Sequence, residues 1–322
     1  MRDYTLDVIR LIACVMIVLM HSPMSGLGTS GAVLCEISYL TAPGIGLFFM
    51  VSGALLLRGH SGKLFDTKGF LQRRFSKILI PVIVWSLVGW GLDACGIKNA
   101  ELGILWFMYC LAGMYLLTPI LSRWLSVASI KEVEFYLVLW LATLCVPFVK
   151  LFTPVNESDT SWLYYFHGYV GYYVLGFYLQ NYMERRMSVG RKLMFALVFV
   201  CISVMLPIAL LMWNVEVDFY SLFWYLSLTV ALQCVLWWII VKRLMRNVAN
   251  LPRLVVELSK LSFGVYLIHI LVMRNVLWKT EWMQGMNGIV QIVVCTILTF
   301  IISALISWGI SKIKYVKAVI GY

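Results

Sequence analysis

Two ionisable side chains, Arg10 and His21, interrupt the apolar run that opens this sequence. At 3.6 residues per turn they lie within about 20° of the same helix face and roughly 16 Å apart along the axis. Asp7 and Cys14 fall on that face as well. Asp7 precedes Arg10 by three residues, a spacing at which the two side chains can pair. The opening helix is therefore expected to carry one polar stripe.

This stripe predicts a site of acid–base chemistry. Histidine is the usual general base near neutral pH. An arginine inside a membrane span normally faces a protein interior or a wet cavity, because its exposure to lipid is costly. The functional interpretation is a cavity lined by Arg10 and His21. The alternative is structural, with Arg10 reaching the inner interface of the membrane and His21 lying in the outer one.

A second group of charged residues lies in the run LQRRFSKILIP, which contains Arg73, Arg74 and Lys77. Clustered guanidinium and ammonium groups bind phosphates well. The same residues would also serve as an orientation signal and as a contact for anionic lipids. Apolar residues alternate with the charges, so we expect the segment 63–77 to form an amphipathic helix along the inner interface.

The whole-chain composition places these residues in a membrane protein. The chain has 322 residues, of which 62% are hydrophobic and 13% are charged, whereas soluble domains are about half apolar and a quarter charged. The net charge is +11, but the basic residues lie between apolar runs, which fits orientation in a bilayer and not nucleic-acid binding. The eight cysteines form no CxxC pair, so no metal site is expected.

The apolar segments predict an all-α polytopic bundle of about ten transmembrane helices, forming a single domain over residues 1–322. A span needs about 20 mostly apolar residues. About 21 of the 26 Lys and Arg fall in alternate connections, which places both termini in the cytoplasm. The predicted spans lie near 7–26, 41–58, 76–95, 103–122, 133–152, 162–181, 193–213, 219–241, 255–278 and 288–311.

Several motifs, taken in order, resemble the acyltransferase-3 family, the bacterial membrane O-acyltransferases of surface polysaccharides. Arg10 and His21 fit that family's R-x(10)-H signature, and the chain resembles a compact subgroup without an added esterase-like domain. It departs from many members at Gly46, where they have an acidic residue, and at Phe107 and Tyr109, where larger members have a glutamate motif. The other resembling runs are FFMVSG, FLQRRFSKILIP, LWFMYCLAGMYLLTPIL, YVGYYVLGFYL and SFGVYLIH.

The resemblance implies a reaction. The donor would be acetyl-CoA or another short acyl-CoA, and the acceptor a hydroxyl of a cell-surface glycan or its lipid-linked precursor. The protein would lie among the lipids of the bacterial cytoplasmic (inner) membrane. His21 would act either as general base or as a covalent acyl carrier. Arg10 would orient the donor or stabilise developing negative charge.

The resemblance also implies where the substrates bind. CoA is anionic and cytoplasmic, so its phosphates would dock at the basic run, and the donor site is expected to comprise Arg73, Arg74, Lys77 and Ser52. Aromatic and polar side chains suit a sugar, although ordinary packing explains them too. A lone histidine such as His269 is more often a packed residue than a catalyst. The expected acceptor-site residues are Trp106, Tyr109, Tyr266 and His269.

Two other classes of protein remain open from the sequence. A transporter or flippase would use Arg10 and His21 as a substrate or proton site; the lack of an internal repeat argues mildly against it. A structural or assembly protein would have no site at all, and it leaves the alignment of Arg10 with His21 unexplained.

Overall fold

The computed structural model describes residues 4–22, 37, 39–58, 65–96, 105–149, 163–186, 191, 194, 197–198, 201 and 223–322. Within these ranges the chain forms ten α-helices and no β-strand. The all-α fold predicted from the sequence is confirmed. The helices are α1 (Tyr4–Met20), α2 (Pro43–Leu56), α3 (Thr67–Ala94), α4 (Trp106–Val127), α5 (Ile130–Val149), α6 (Val170–Arg186), α7 (Leu228–Met245), α8 (Arg253–Leu271), α9 (Glu281–Gln284) and α10 (Gly288–Lys312).

Seven helices in the described part of the chain are long and apolar enough to cross a membrane. They are Tyr39–Leu56, which contains α2, then α3, α4, α5, α7, Arg253–Leu277, which contains α8, and α10. Two further predicted spans correspond to α1 and α6, which have 17 residues each. The predicted span 193–213 lies largely outside the described residues. The total of ten spans and the cytoplasmic position of both termini therefore stay predictions.

The basic run forms the opening turns of a long helix. The Asp66 carboxylate accepts a hydrogen bond from the Gly69 N–H at 3.0 Å and so caps the start of α3. The helix then continues for 28 residues, past Pro81, a length on the order of 42 Å. In its described part, the helix expected over 63–77 forms the start of α3 and is not an element of its own. Its position along the inner interface stays a prediction. The segment continues into the third span because apolar residues follow the charges without a break.

The chain contains two compact units, each assembled from separated segments of sequence. The first comprises α1, α3, the start of α4 as far as Leu117, and the chain from Ala249 onward. In it α8 packs against both α1 and α10. A C-terminal 3₁₀ turn packs against α3, where Trp85 Nε1 donates to the Val319 carbonyl at 3.0 Å. A single domain over 1–322 stays a prediction.

The second unit comprises α2, the rest of α4, α5, α6 and α7. Its closest helix pair is α2 and α6. A Cβ atom on Gly53 would overlap the backbone carbonyl of Tyr173, and one on Gly176 would overlap the backbone carbonyl of Met50. Glycine at these two positions lets the helix backbones touch, as small residues do between membrane helices.

This contact predicts the effect of two conservative substitutions. Gly53→Ala and Gly176→Ala are each expected to lower the thermal stability and the yield of monodisperse protein in detergent, because overpacking costs about 1–3 kcal/mol. Gly113→Ala is the matched control, since nothing lies within 4 Å of a Cβ at that position. A melting temperature of Gly176→Ala equal to that of Gly113→Ala would contradict the close packing.

Candidate active site

The polar stripe of α1 lies against a matching stripe on α8. Asp7 is 5% exposed and accepts a hydrogen bond from the Ser259 hydroxyl at 3.0 Å. About two turns further along α1, the Cys14 thiol donates to the Ser262 carbonyl at 3.5 Å. The polar residues of α1 are therefore buried against α8 at these two levels. The pairing of Asp7 with Arg10 stays a prediction.

At the end of the stripe, His21 meets His269. The ring centroids are 5.0 Å apart with an interplanar angle of 65°, and His269 Nε2 lies 3.4 Å from His21 Nδ1. His21 Nδ1 also lies 2.8 Å from the Ile17 carbonyl, and His269 Nδ1 lies 2.6 Å from the Tyr266 carbonyl. His269 is fully buried and His21 is half-buried. The structure thus brings together two histidines that the sequence places 248 residues apart.

The residue after His21, Ser22, makes a polar contact with α10. Ser22 Oγ lies 2.7 Å from Thr296 Oγ1, and both residues are buried. The polar stripe of α1 therefore has partners on α8 along its length and on α10 at its end. Such a buried polar track is costly in a membrane unless its groups are hydrogen-bonded, as they are here.

The three basic residues predicted to bind the donor differ in their exposure on α3. Arg74 is half-buried and lies on the same face as Phe70 and Ile78, four residues to either side, which are 8% and 3% exposed. Arg73 and Lys77 are exposed, and an Arg73 nitrogen lies 3.7 Å from the Asp66 carboxylate. Only one of the three predicted donor residues, Arg74, therefore points into the first unit.

Arg74 shares a neighbour with Arg10. The side chain of Tyr115, on α4, is 8% exposed and lies within electrostatic range of both guanidinium groups. Its ring also makes an edge contact with Phe70, at 6.2 Å between centroids. Two positive charges from α1 and α3 therefore act at one buried phenol. Sequence reasoning missed Tyr115, although it shares the apolar face of α4 with Phe107.

The aromatic residues predicted for the acceptor do not form one cluster. Tyr266 is 4% exposed, and its ring centroid lies 5.9 Å from that of His269 and 5.3 Å from that of Phe107. Trp106 is half-buried beside Phe107 at 6.3 Å. Tyr109 is 60% exposed and points away from these rings. Phe107 and Tyr109 stand where larger members of the resembling family have a glutamate motif. Of these two residues, Phe107 packs against Tyr266.

The remaining predicted donor residue, Ser52, belongs to the second unit. Its hydroxyl donates to the Phe48 carbonyl of its own helix at 2.9 Å, and its contact with a donor stays a prediction. In the same helix, a Cβ on Gly46 would lie 2.7 Å from Cys234 Sγ and 2.9 Å from the Tyr172 ring. An acidic side chain, as found there in many family members, would not fit without repacking.

This arrangement can support acyl-transfer chemistry. An imidazole that donates from one ring nitrogen presents the lone pair of the other, which serves either as a base or as a nucleophile. Guanidinium groups turned towards a protein interior bind and orient anions, and Arg10 and Arg74 are both half-buried. The described residues of the first unit supply both kinds of group.

Comparison with known proteins identifies the family. The family model described as "Acyltransferase domain" matches residues 3–308, nearly the whole chain. No curated protein and no solved structure gives a significant match. The matched family, together with the apolar helices described above, indicates a multi-pass integral membrane protein. The chain belongs to the acyltransferase-3 family and is a membrane acyltransferase.

Proposed function

We propose that this protein transfers an acetyl or other short acyl group from cytoplasmic acyl-CoA to a hydroxyl of a cell-surface glycan or its lipid-linked precursor, in the bacterial inner membrane. The observation that carries the proposal is the contact of His21 with the buried His269. His21 follows α1, whose polar face also bears Arg10. A structural protein has no need of two histidines in contact inside an apolar bundle.

The donor would bind through its phosphates at the start of α3. Arg74 points inward and shares Tyr115 with Arg10, so the two guanidinium groups would hold the anionic part of CoA. Exposed Arg73 and Lys77 would attract the nucleotide over a longer range. The pantetheine arm would then follow α1 from Arg10 towards His21, a distance of roughly 16 Å.

His21 would act at the thioester through Nε2. As a general base, Nε2 takes the proton of the acceptor hydroxyl while the oxygen attacks the thioester carbonyl. The carbon–sulfur bond then breaks and the CoA sulfur takes the proton from Nε2. As a carrier, Nε2 itself attacks the carbonyl and CoA leaves as a thiolate. In a second step the hydroxyl oxygen displaces the imidazole from the acyl group, the hydroxyl proton passes to water, and the released thiolate takes up a proton from water. Both routes give an ester and free CoA.

The direct test is transfer of label from donor to glycan. Membranes that contain the protein should move radiolabel from acetyl-CoA into a glycan fraction, in an ester released by mild alkali. Membranes without the protein should not. Movement of glycan across the membrane in the absence of any acyl-CoA, with no ester formed, would contradict the proposal and favour a transporter.

A further inference from the structure

We propose that His269 is a positioning residue, which accepts a hydrogen bond from His21 Nδ1 and thereby directs His21 Nε2 to the reacting group. This inference rests on the proposed function, because it assigns a role to a neighbour of the proposed catalytic histidine.

The backbone contacts decide the positions of the ring protons. A carbonyl oxygen only accepts hydrogen bonds. His21 Nδ1 lies 2.8 Å from the Ile17 carbonyl, and His269 Nδ1 lies 2.6 Å from the Tyr266 carbonyl. Each Nδ1 therefore carries a hydrogen. In a neutral ring, the lone pair then lies on Nε2 of both histidines.

These protons give the contact between the two rings a direction. His269 Nε2 is an acceptor, and the atom 3.4 Å from it is His21 Nδ1, which carries a hydrogen. The His21 Nδ1–H is thus shared between the Ile17 carbonyl and His269. A half-turn of the His21 ring about its Cβ–Cγ bond would replace this N–H by a C–H and lose both acceptors. The contact therefore favours one ring orientation.

His269 is well held for this task. It is fully buried, its Nδ1–H is bound to a carbonyl of its own helix, and the Tyr266 ring lies beside it at 5.9 Å. The charged or titratable groups that act on it are His21 and Arg274, the latter on the π-helical turn Val272–Leu277. With Nδ1–H bound to the Tyr266 carbonyl, the Nε2 that faces the His21 Nδ1–H is the lone-pair nitrogen of a neutral ring.

In a catalytic triad, a carboxylate accepts a hydrogen bond from the histidine Nδ1–H and holds the ring in place. His269 plays the same part for His21, but as a neutral acceptor. When His21 Nε2 takes the hydroxyl proton, the imidazolium keeps its Nδ1–H bonded to His269 Nε2 and to the Ile17 carbonyl. The proton returns to the CoA sulfur when the carbon–sulfur bond breaks. His269 exchanges no proton and touches no substrate.

Three substitutions separate this role from simple packing. The Gln amide reaches where Nε2 lies and its oxygen can accept, whereas the Asn amide reaches only where Nδ1 lies, and Leu cannot accept at all. His269→Gln should keep kcat within about threefold of wild type. His269→Asn and His269→Leu should lower kcat by about 10- to 100-fold, the range for a hydrogen bond to a charged group, with the donor KM unchanged.

Two outcomes would overturn the proposal. One is wild-type turnover in His269→Leu. The other is an equal loss in folded His269→Gln and His269→Leu, which would indicate packing. If wild type itself transfers no label, the proposed function fails; if wild type transfers label and His269→Leu equals it, only this inference fails.

A measurement on the unmodified protein keeps the proposal testable should every variant misfold. Diethyl pyrocarbonate acylates imidazole nitrogens that hold a lone pair. We expect mass spectrometry to find the modification on His21, with His269 modified at least tenfold more slowly because its Nε2 is engaged and buried. Modification of His269 at the same rate or faster would overturn the assigned roles.

Discussion

Replacing His21 by alanine is expected to lower kcat for acyl transfer by about 10²- to 10⁴-fold, the usual contribution of a positioned general base. The donor KM should change little, because the anion-binding residues proposed above, Arg10 and Arg74, do not depend on the imidazole. The measurement is the rate of label transfer from acetyl-CoA in membranes that hold equal amounts of wild type and variant.

A second histidine provides the control for this prediction. His167 is exposed and lies in the second unit, so His167→Ala should keep wild-type turnover. Transfer at the wild-type rate in His21→Ala would exclude the mechanism. Isotope exchange with no acceptor then separates the two routes, because only a carrier releases CoA before the acceptor reacts. Exchange of labelled CoA into acetyl-CoA by wild type but not by His21→Ala indicates a carrier, and no exchange by wild type indicates a base.

The polar stripe of α1 could be predicted from the sequence, because the spacing of residues along a single helix defines it. Asp7, Arg10, Cys14 and His21 were expected on one face of the first helix because eleven residues are close to three full turns. The contacts of Asp7 and Cys14 with α8 agree with that face. The family assignment followed from the same residues and is confirmed.

The partners of that stripe could not be predicted in the same way. Periodicity within one helix does not say which other helix packs against it. His269 and His21 are 248 residues apart, so a single sequence gives no signal for their contact. The sequence singled out both histidines, His21 as catalytic and His269 for the acceptor, but it did not predict their contact.

In two other places, the periodicity of buried residues along a helix distinguishes neighbouring residues that residue type alone does not. Residue type favoured Tyr109 as a ligand of a sugar, but it is 60% exposed while Phe107, two residues earlier, is 3% exposed. Likewise, Arg73 and Arg74 look equivalent by residue type. Phe70, Arg74 and Ile78 follow one another at four-residue spacing, and Arg74 is the one charged residue of α3 (Thr67–Ala94, all of it described) that is not exposed.

That difference between neighbouring arginines gives the second large expected effect. Arg74→Ala should raise the donor KM by about 10- to 100-fold, which corresponds to the loss of a charge-assisted hydrogen bond. Arg73→Ala should raise it by less than about threefold, because the contribution of an exposed charge is small and screened by salt. The side chain of Arg73 is 69% exposed and lies near Asp66, which makes it a matched control on the same helix turn.

The measurement is the donor KM for acetyl-CoA and for its 3′-dephospho form at two salt concentrations. The quantity to compare is the donor KM of Arg74→Ala divided by that of wild type. If Arg74 holds the 3′-phosphate, this ratio should be smaller with the dephospho donor. If Arg74 contacts the diphosphate, the ratio should be the same with both donors. The small effect of Arg73→Ala should vanish at high salt, since it acts through a long-range field. Equal donor KM values for Arg74→Ala and Arg73→Ala would show that burial on α3 does not select the donor site, and the CoA phosphates would then have to bind elsewhere.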